Sequence, residues 1–186
     1  MAEQYPTLAA GQRITASLLR SMQPQFARKT ADTARPAVTT QTDDPHLTFT
    51  VEANGVYDCT GWLKYDGPTA ADFQFSWTIP AGSDGEFYGW GAGHSPVITF
   101  TNTGVVQLDT SSSRGYPIRV ESLDITSASR NVGCLGVGTV LTVQTRALLR
   151  VGATGGTFAL KWGQATSDAS ATTLYTDSML RLDRIA

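Results

Sequence analysis

From Leu47 onward, apolar residues recur at every second position rather than every third or fourth. Leu47, Phe49 and Val51 alternate with Thr48 and Thr50, and Phe73, Phe75, Trp77 and Ile79 alternate with Gln74, Ser76 and Thr78. Leu141, Val143, Thr145, Ala147, Leu149 and Val151 share one side of a longer run. A period of two sends successive side chains to opposite faces of an extended chain, so each run predicts a strand with one buried face. Ala53-Asn54-Gly55, Asp66-Gly67-Pro68 and Gly155-Gly156 separate the runs as turns. Tyr57, Cys59, Leu63 and Tyr65 then fall on one face of a strand over 56–65, and Phe158, Leu160 and Trp162 return from the last turn. Further strands are expected at 97–101, 105–108 and 118–125, and Leu180 and Leu182 tie the end of the chain into a sheet. About eight to ten strands with turns at short intervals predict an all-β fold, an antiparallel two-sheet jelly-roll sandwich.

Composition agrees. The chain holds 26 Thr and 18 Gly, and only 16% of its residues are charged, against about 25% in average soluble domains. At 186 residues it suits one domain with an appendage. Lys plus Arg is 14 and Asp plus Glu is 16, so a net charge of −2 supplies no broad footprint for nucleic acid. No segment approaches the ~20 apolar residues needed to cross a bilayer, and the N-terminus lacks the basic and apolar regions of a secretion signal. Cys59 and Cys134 form no CxxC or CxxH pair and read as buried free thiols.

One short stretch breaks the β pattern. Ile14, Leu18, Leu19 and Met22 lie at i, i+4, i+5 and i+8 behind Thr15, a plausible N-cap, and Pro24 stops the run. Isolated helices shorter than ~12–15 residues are marginal in water, so something must pack on this stripe. Full burial of the four side chains would contribute roughly 6–12 kcal/mol at ~1.5–3 each, comparable with the ~4–15 kcal/mol that association costs. One copy is then a weak anchor, whereas several copies on an oligomer bind far more tightly. The stripe has two readings, an anchor on a foreign surface or a helix folded back on its own domain. The expected division is an arm and anchor helix over 1–28 and a β head over 29–186. Between them the polar, Thr-rich text from Phe26 to Asp44 suits an edge strand or extended arm.

Few residues propose chemistry. The segment 81–96 reads as a long Gly-rich loop, and Gly89, Gly91 and Gly93 resemble a phosphate cradle without the helix that would receive an anion. On that loop Tyr88 and Trp90 could form a platform for a sugar ring, or could cover the sandwich end or a subunit contact. Ser95 lies outside a GxSxG elbow, His46 and His94 are isolated, and Asp43-Asp44-Pro45 and Asp66-Gly67 read as turn residues. The expectation is a non-enzymatic protein with no cofactor and no metal. Arginine outnumbers lysine 11 to 3, with Arg20, Arg28 and Lys29 near the arm and Arg181 and Arg184 beside Asp183, which suits interfacial pairing or plain solvation.

The residues also carry a resemblance. GQRITASLLRSM resembles the entry segment of bacteriophage fibre and minor structural proteins, where it precedes a virion-attachment helix. The segment from RKTADTARP to WLKYDG resembles the opening strands of phage head-fibre and minor tail proteins, and GATGGTFAL to SMLRLDRIA is similar to their closing hairpin and last strand. The likeness implies a homotrimer with a tumour-necrosis-factor-like jelly-roll head, located in the virion and contacting other virion proteins of capsid or tail. It assigns the anchoring role to Ile14, Leu18, Leu19 and Met22. The chain has no shaft between anchor and head, which favours capsid decoration close to the shell. The alternative is a minor tail protein or tail-fibre head that binds host cell-surface carbohydrate through Tyr88 and Trp90.

Overall fold

A computed structural model of the chain describes residues 9–91, 98–100, 106–108 and 121–186. Its elements begin with α1 (Ala16–Ser21), β1 (Gln25–Arg28), β2 (Thr33–Arg35), β3 (Thr42–Val51) and β4 (Val56–Gly67). Then come β5 (Phe73–Thr78), β6 (Asp84–Trp90), β7 (Ile98–Phe100), β8 (Val106–Leu108) and β9 (Leu123–Asp124). The last five are β10 (Arg130–Val132), β11 (Gly136–Arg150), β12 (Gly156–Gln164), β13 (Thr172–Leu174) and β14 (Met179–Arg184). The fold is all-β, built on two antiparallel sheets as the alternation predicts. The larger sheet runs β1-β14-β4-β11-β6-β9, with β13 pairing both β2 and β4, and the smaller runs β10-β5-β12-β3. β7 and β8 form a separate pair.

The longest strand explains the larger sheet. β11 pairs with β4 on one side and β6 on the other, and Val143, Thr145, Ala147 and Leu149 all point inward and are buried. From the facing sheet β5 sends in Phe73, Phe75 and Trp77. Ring contacts then run through the interior, from Tyr65 to Phe73 at 4.8 Å, Phe73 to Phe75 at 5.8 Å and Phe75 to Phe87 at 6.0 Å. Trp77 meets Phe87 edge-on and stacks on Phe158 at 4.8 Å. Each such pair contributes ~0.5–1.5 kcal/mol beyond its buried area, so this chain of rings bonds one sheet to the other.

The turns behave as their residues require. Asn54 takes a φ of 57°, the left-handed conformation that Asn tolerates better than most, and lets β3 reverse into β4. Thr15 caps α1, its Oγ1 accepting from the Leu18 N–H at 3.2 Å and its carbonyl from the Leu19 N–H at 3.0 Å. The helix is six residues long, shorter than the eight or nine the stripe spans, and Pro24, which carries no N–H, precedes β1. β1 lies at the edge of the larger sheet, where Ala27 stands opposite Leu180 of β14.

Two expectations are corrected. Residues 84–90 are strand β6, not loop. Their glycines make room rather than flexibility: a Cβ on Gly89 would lie 2.7 Å from the Phe75 ring, and one on Gly85, at φ 154°, would lie 2.0 Å from the Leu148 carbonyl oxygen. Asp43-Asp44-Pro45 and Asp66-Gly67 are not turns either, but parts of β3 and β4, and Asp44 and Asp66 are buried. His94, Ser95, Gly93 and the 118–120 part of the expected 118–125 strand lie outside the described residues; within the remainder of that stretch, Leu123–Asp124 is strand.

Cys59 and Cys134 are both buried and free. Burial, helped by Asp58 and Asp183, pushes the Cys59 thiol well above its ordinary range, and burial beside Asp66 pushes Cys134 up to about 12. At pH 8 the folded protein therefore reacts with Ellman's reagent on the order of a thousandfold more slowly than the unfolded chain, because the thiolate is the nucleophile. Unfolding frees both thiols to ionise, so the associated stability is present below about pH 9 and is lost as the pH climbs toward 12. A thiol that reacts fast in the native state would contradict this packing.

Candidate functional site

The outward face of the larger sheet is unusual for a solvated surface. Since Gly85, Phe87 and Gly89 of β6 point inward, Glu86, Tyr88 and Trp90 point out. The register of the neighbouring strands then fixes what stands beside them. Gln144 of β11 is opposite Trp90 on one side and Trp62 of β4 on the other, so the two indoles flank it about two strand spacings, ~9.5 Å, apart. Met179 of β14 continues the row beyond Trp62, and Arg28 of β1 ends it.

One step along the strands, Tyr88, Arg146, Thr60, Arg181 and Phe26 form a parallel row. Trp62, Trp90 and Phe26 keep 40%, 49% and 65% of their surface exposed. Two shallow grooves cross this face. One of about 310 Å³ lies among Trp62, Tyr88, Gln144, Met179 and Arg181, and one of about 390 Å³ lies among Asp58, Glu86, Ser122 and Leu148. They share Tyr88 and Arg146 as a common wall.

Arg146, Arg181 and Arg28 on this face are each paired with a carboxylate. Arg146 grips Asp58 with two parallel bonds, Nε to Oδ1 at 2.8 Å and Nη2 to Oδ2 at 2.9 Å. Hydrogen bonding to Asp58 raises the pKa of the Arg146 guanidinium further. Arg181 Nε lies 2.9 Å from Asp183 Oδ2, and Arg28 Nη1 lies 2.7 Å from Asp177 Oδ1. Exposed pairs of this kind contribute at most ~1 kcal/mol to stability. Their effect here is to present neutral, planar hydrogen-bonding groups between exposed aromatic rings.

The second feature is the arm. Ile14, Leu19 and Met22 are each more than half exposed, whereas Leu18 is half-buried, so three of the four residues of the stripe leave most of their surface open. Of the sugar-platform pair, Tyr88 is half-buried and Trp90 exposed, both on strand β6 and on the same face. Sequence reasoning missed Trp62, Met179 and Phe26 as their companions. Alternation alone marks Trp62 as outward-facing, but its proximity to Trp90 depends on pairing between residues far apart in the chain. Among the described residues, no group of three or more His, Cys, Asp or Glu is placed to hold a metal ion.

No family model matches the sequence, and no curated protein does. Among solved structures the chain is similar to the VP2 subviral particle of infectious bursal disease virus, at 10% identity and a TM-score of 0.21. That match covers 88% of this chain and 42% of the other. It is also similar to a structure of the Gt strain of the same virus, at 10% identity and a TM-score of 0.20, over 99% of this chain and 46% of that one. The chain thus spans less than half the length of either structure.

Proposed function

We propose that the protein is a non-enzymatic structural component of a bacteriophage virion, a homotrimer of jelly-roll heads that decorates the capsid and is held there by its N-terminal arm. The observation that carries this reading is the open stripe of Ile14, Leu19 and Met22 beside a domain whose core is already closed by its own rings. An apolar stripe with three side chains this open gains from a partner surface, and three copies bind far more tightly than one. The sequence resemblance to phage head-fibre and minor tail proteins supports the same assignment.

The outward face of the larger sheet supplies the surface on which the heads associate. Aromatic side chains, Met and Arg are enriched at protein interfaces, and Trp, Tyr and Arg dominate their binding energy. Trp62, Trp90, Tyr88, Phe26, Met179, Arg146 and Arg181 are that set on one face. Sedimentation tests the trimer directly: the full chain is expected at about 60 kDa, three times its 19.9 kDa. Trp62→Ala combined with Trp90→Ala is expected to shift it to a folded monomer, since a central interface Trp typically contributes 2 kcal/mol or more, roughly thirtyfold in affinity per residue.

A second reading is favoured by the two indoles flanking Gln144 with the Arg146–Asp58 pair at their side. Aromatic faces alternating with planar polar groups suit a sugar chain, and the protein would then be a minor tail protein or tail-fibre head on host surface carbohydrate. The same double variant separates the two. If it remains a trimer but loses adsorption to bacterial cells, the face is a glycan platform. A wild-type monomer contradicts the trimer outright.

A further inference from the structure

Among the described residues the two sheets end on five edge strands, and four of them are short and charged. β1, β2, β9 and β10 run for two to four residues and carry Arg28, Arg35, Asp124 and Arg130 in turn. Shortness and charge are what keep an exposed row of backbone groups from pairing with another chain. β3 is the exception. It runs for ten residues along the edge of the smaller sheet, with β12 as its one strand partner among the described residues.

The first half of β3 is occupied. Arg35 donates from Nη1 to the Thr42 carbonyl at 2.9 Å and from Nη2 to the Asp43 carbonyl at 3.1 Å, and Asp44 is held by Lys29. Pro45 has no N–H, and the His46 N–H turns back to the Asp44 carboxylate. From Leu47 to Val51, nothing among the described residues besides β12 pairs with the backbone, and the stretch holds no Lys, Arg, Asp, Glu or Pro. Its register with β12 is unbroken from Thr48 to Val51. Leu47, Phe49 and Val51 face the core while Thr48 and Thr50 are exposed, so this half of the edge is β-prone and open to an incoming strand. Water serves its outer groups in the separate chain, and a strand that replaces the water adds cross-strand side-chain pairs to the ladder.

We propose that this edge pairs with the same edge of a second copy, antiparallel across a two-fold axis at Phe49, so that the smaller sheets of two molecules become one. The sequence is self-complementary about that point. Leu47 falls opposite Val51 of the partner subunit, Thr48 opposite Thr50 of the partner subunit, and His46 opposite Glu52 of the partner subunit. Threonine pairs, and an imidazole beside a carboxylate, are favourable cross-strand neighbours, and no like charges meet. Glu52 is exposed, with one oxygen on Arg184. Moving the axis to Thr48 would set Pro45 opposite Val51, and moving it to Thr50 would take His46 away from Glu52. The edge lies apart from the outward face of the larger sheet, so the pairing stands whether or not that face builds a trimer; with trimers, it joins one to the next.

Hydrogen–deuterium exchange of the full chain, read by mass spectrometry at short labelling times, tests the pairing. A ladder this small belongs to the weak class of interfaces, so with a dissociation constant on the order of tens of micromolar the copies go from mostly separate at ~5 μM to mostly joined at ~500 μM. Across that range exchange over residues 47–51 is expected to slow by about fivefold, as the unpaired fraction falls. Trp62→Ala combined with Trp90→Ala is expected to leave the slowing unchanged. Thr48→Lys with Thr50→Lys, both on exposed side chains, sets like charges opposite one another and is expected to abolish it. Thr48→Lys with Thr50→Glu sets opposite charges across the axis and is expected to keep it, which no axis on Thr48 or Thr50 would allow. Exchange that is the same at both concentrations overturns the proposal, as does slowing that survives the two lysines or disappears with the two indoles. Slowing that requires virions lacking this chain, rather than more of the chain itself, assigns the edge to a strand of another virion protein and overturns the proposal as well.

Discussion

Asp44→Ala lowers the unfolding free energy by about 3–5 kcal/mol, the usual consequence of stranding one partner of a buried ion pair. The Lys29 ammonium and the Asp44 carboxylate are fully covered by the fold and lie 2.7 Å apart. Lys29 Nζ also donates to Thr33 Oγ1 at 2.8 Å, while Asp44 accepts from the Trp162 indole at 3.1 Å and from the His46 N–H at 3.0 Å. Removing the carboxylate therefore leaves a buried charge and two donors without their acceptor. The loss is a large part of the ~5–15 kcal/mol that holds such a domain together.

The position of the pair gives it a further role. The Lys29 backbone N–H donates to the Ser178 carbonyl and the Asp177 N–H donates to the Lys29 carbonyl, so the pair fixes the point where the arm enters the sandwich. Denaturant midpoints measure the effect, and the double change Lys29→Met with Asp44→Leu is expected to recover most of it, because no charge is left to desolvate. A single variant that loses under 1 kcal/mol would show that the pair is solvated.

The strands that line the interior are legible in the chain because their faces are unambiguous. Thr145 and Ala147 continue the alternation of β11 although neither is strongly apolar, and both are buried where the period puts them. What local reading misses is set by distant partners. Lys29 belongs by composition with a solvated basic cluster, and Asp44 with a turn before Pro45; each is buried only because the other is present. Gly85 and Gly89 carry a loop signal in sequence, yet they are small because Leu148 and Phe75 press against them. Trp62 shows the same limit at the candidate site, since its companions come from strands separated from it by dozens of residues.

Attachment is where the largest functional effect is expected. Covering what remains open of Ile14, Leu18, Leu19 and Met22 contributes roughly 2–6 kcal/mol per copy, which association consumes, so the proposed trimer depends on linking its three copies, worth ~10²–10⁴ in avidity. Deleting residues 1–22 ends ahead of β1 and leaves the Lys29–Asp44 clamp untouched, so the head stays folded while the anchor is gone. Leu19→Asp is the gentler version, placing a charge on an exposed side chain in the middle of the stripe. Co-sedimentation with purified virions that lack this chain decides the matter. The full chain pellets with the particles, whereas the shortened chain and Leu19→Asp stay in the supernatant as folded protein; pelleting that is undiminished in both would place the attachment elsewhere and refute the anchor.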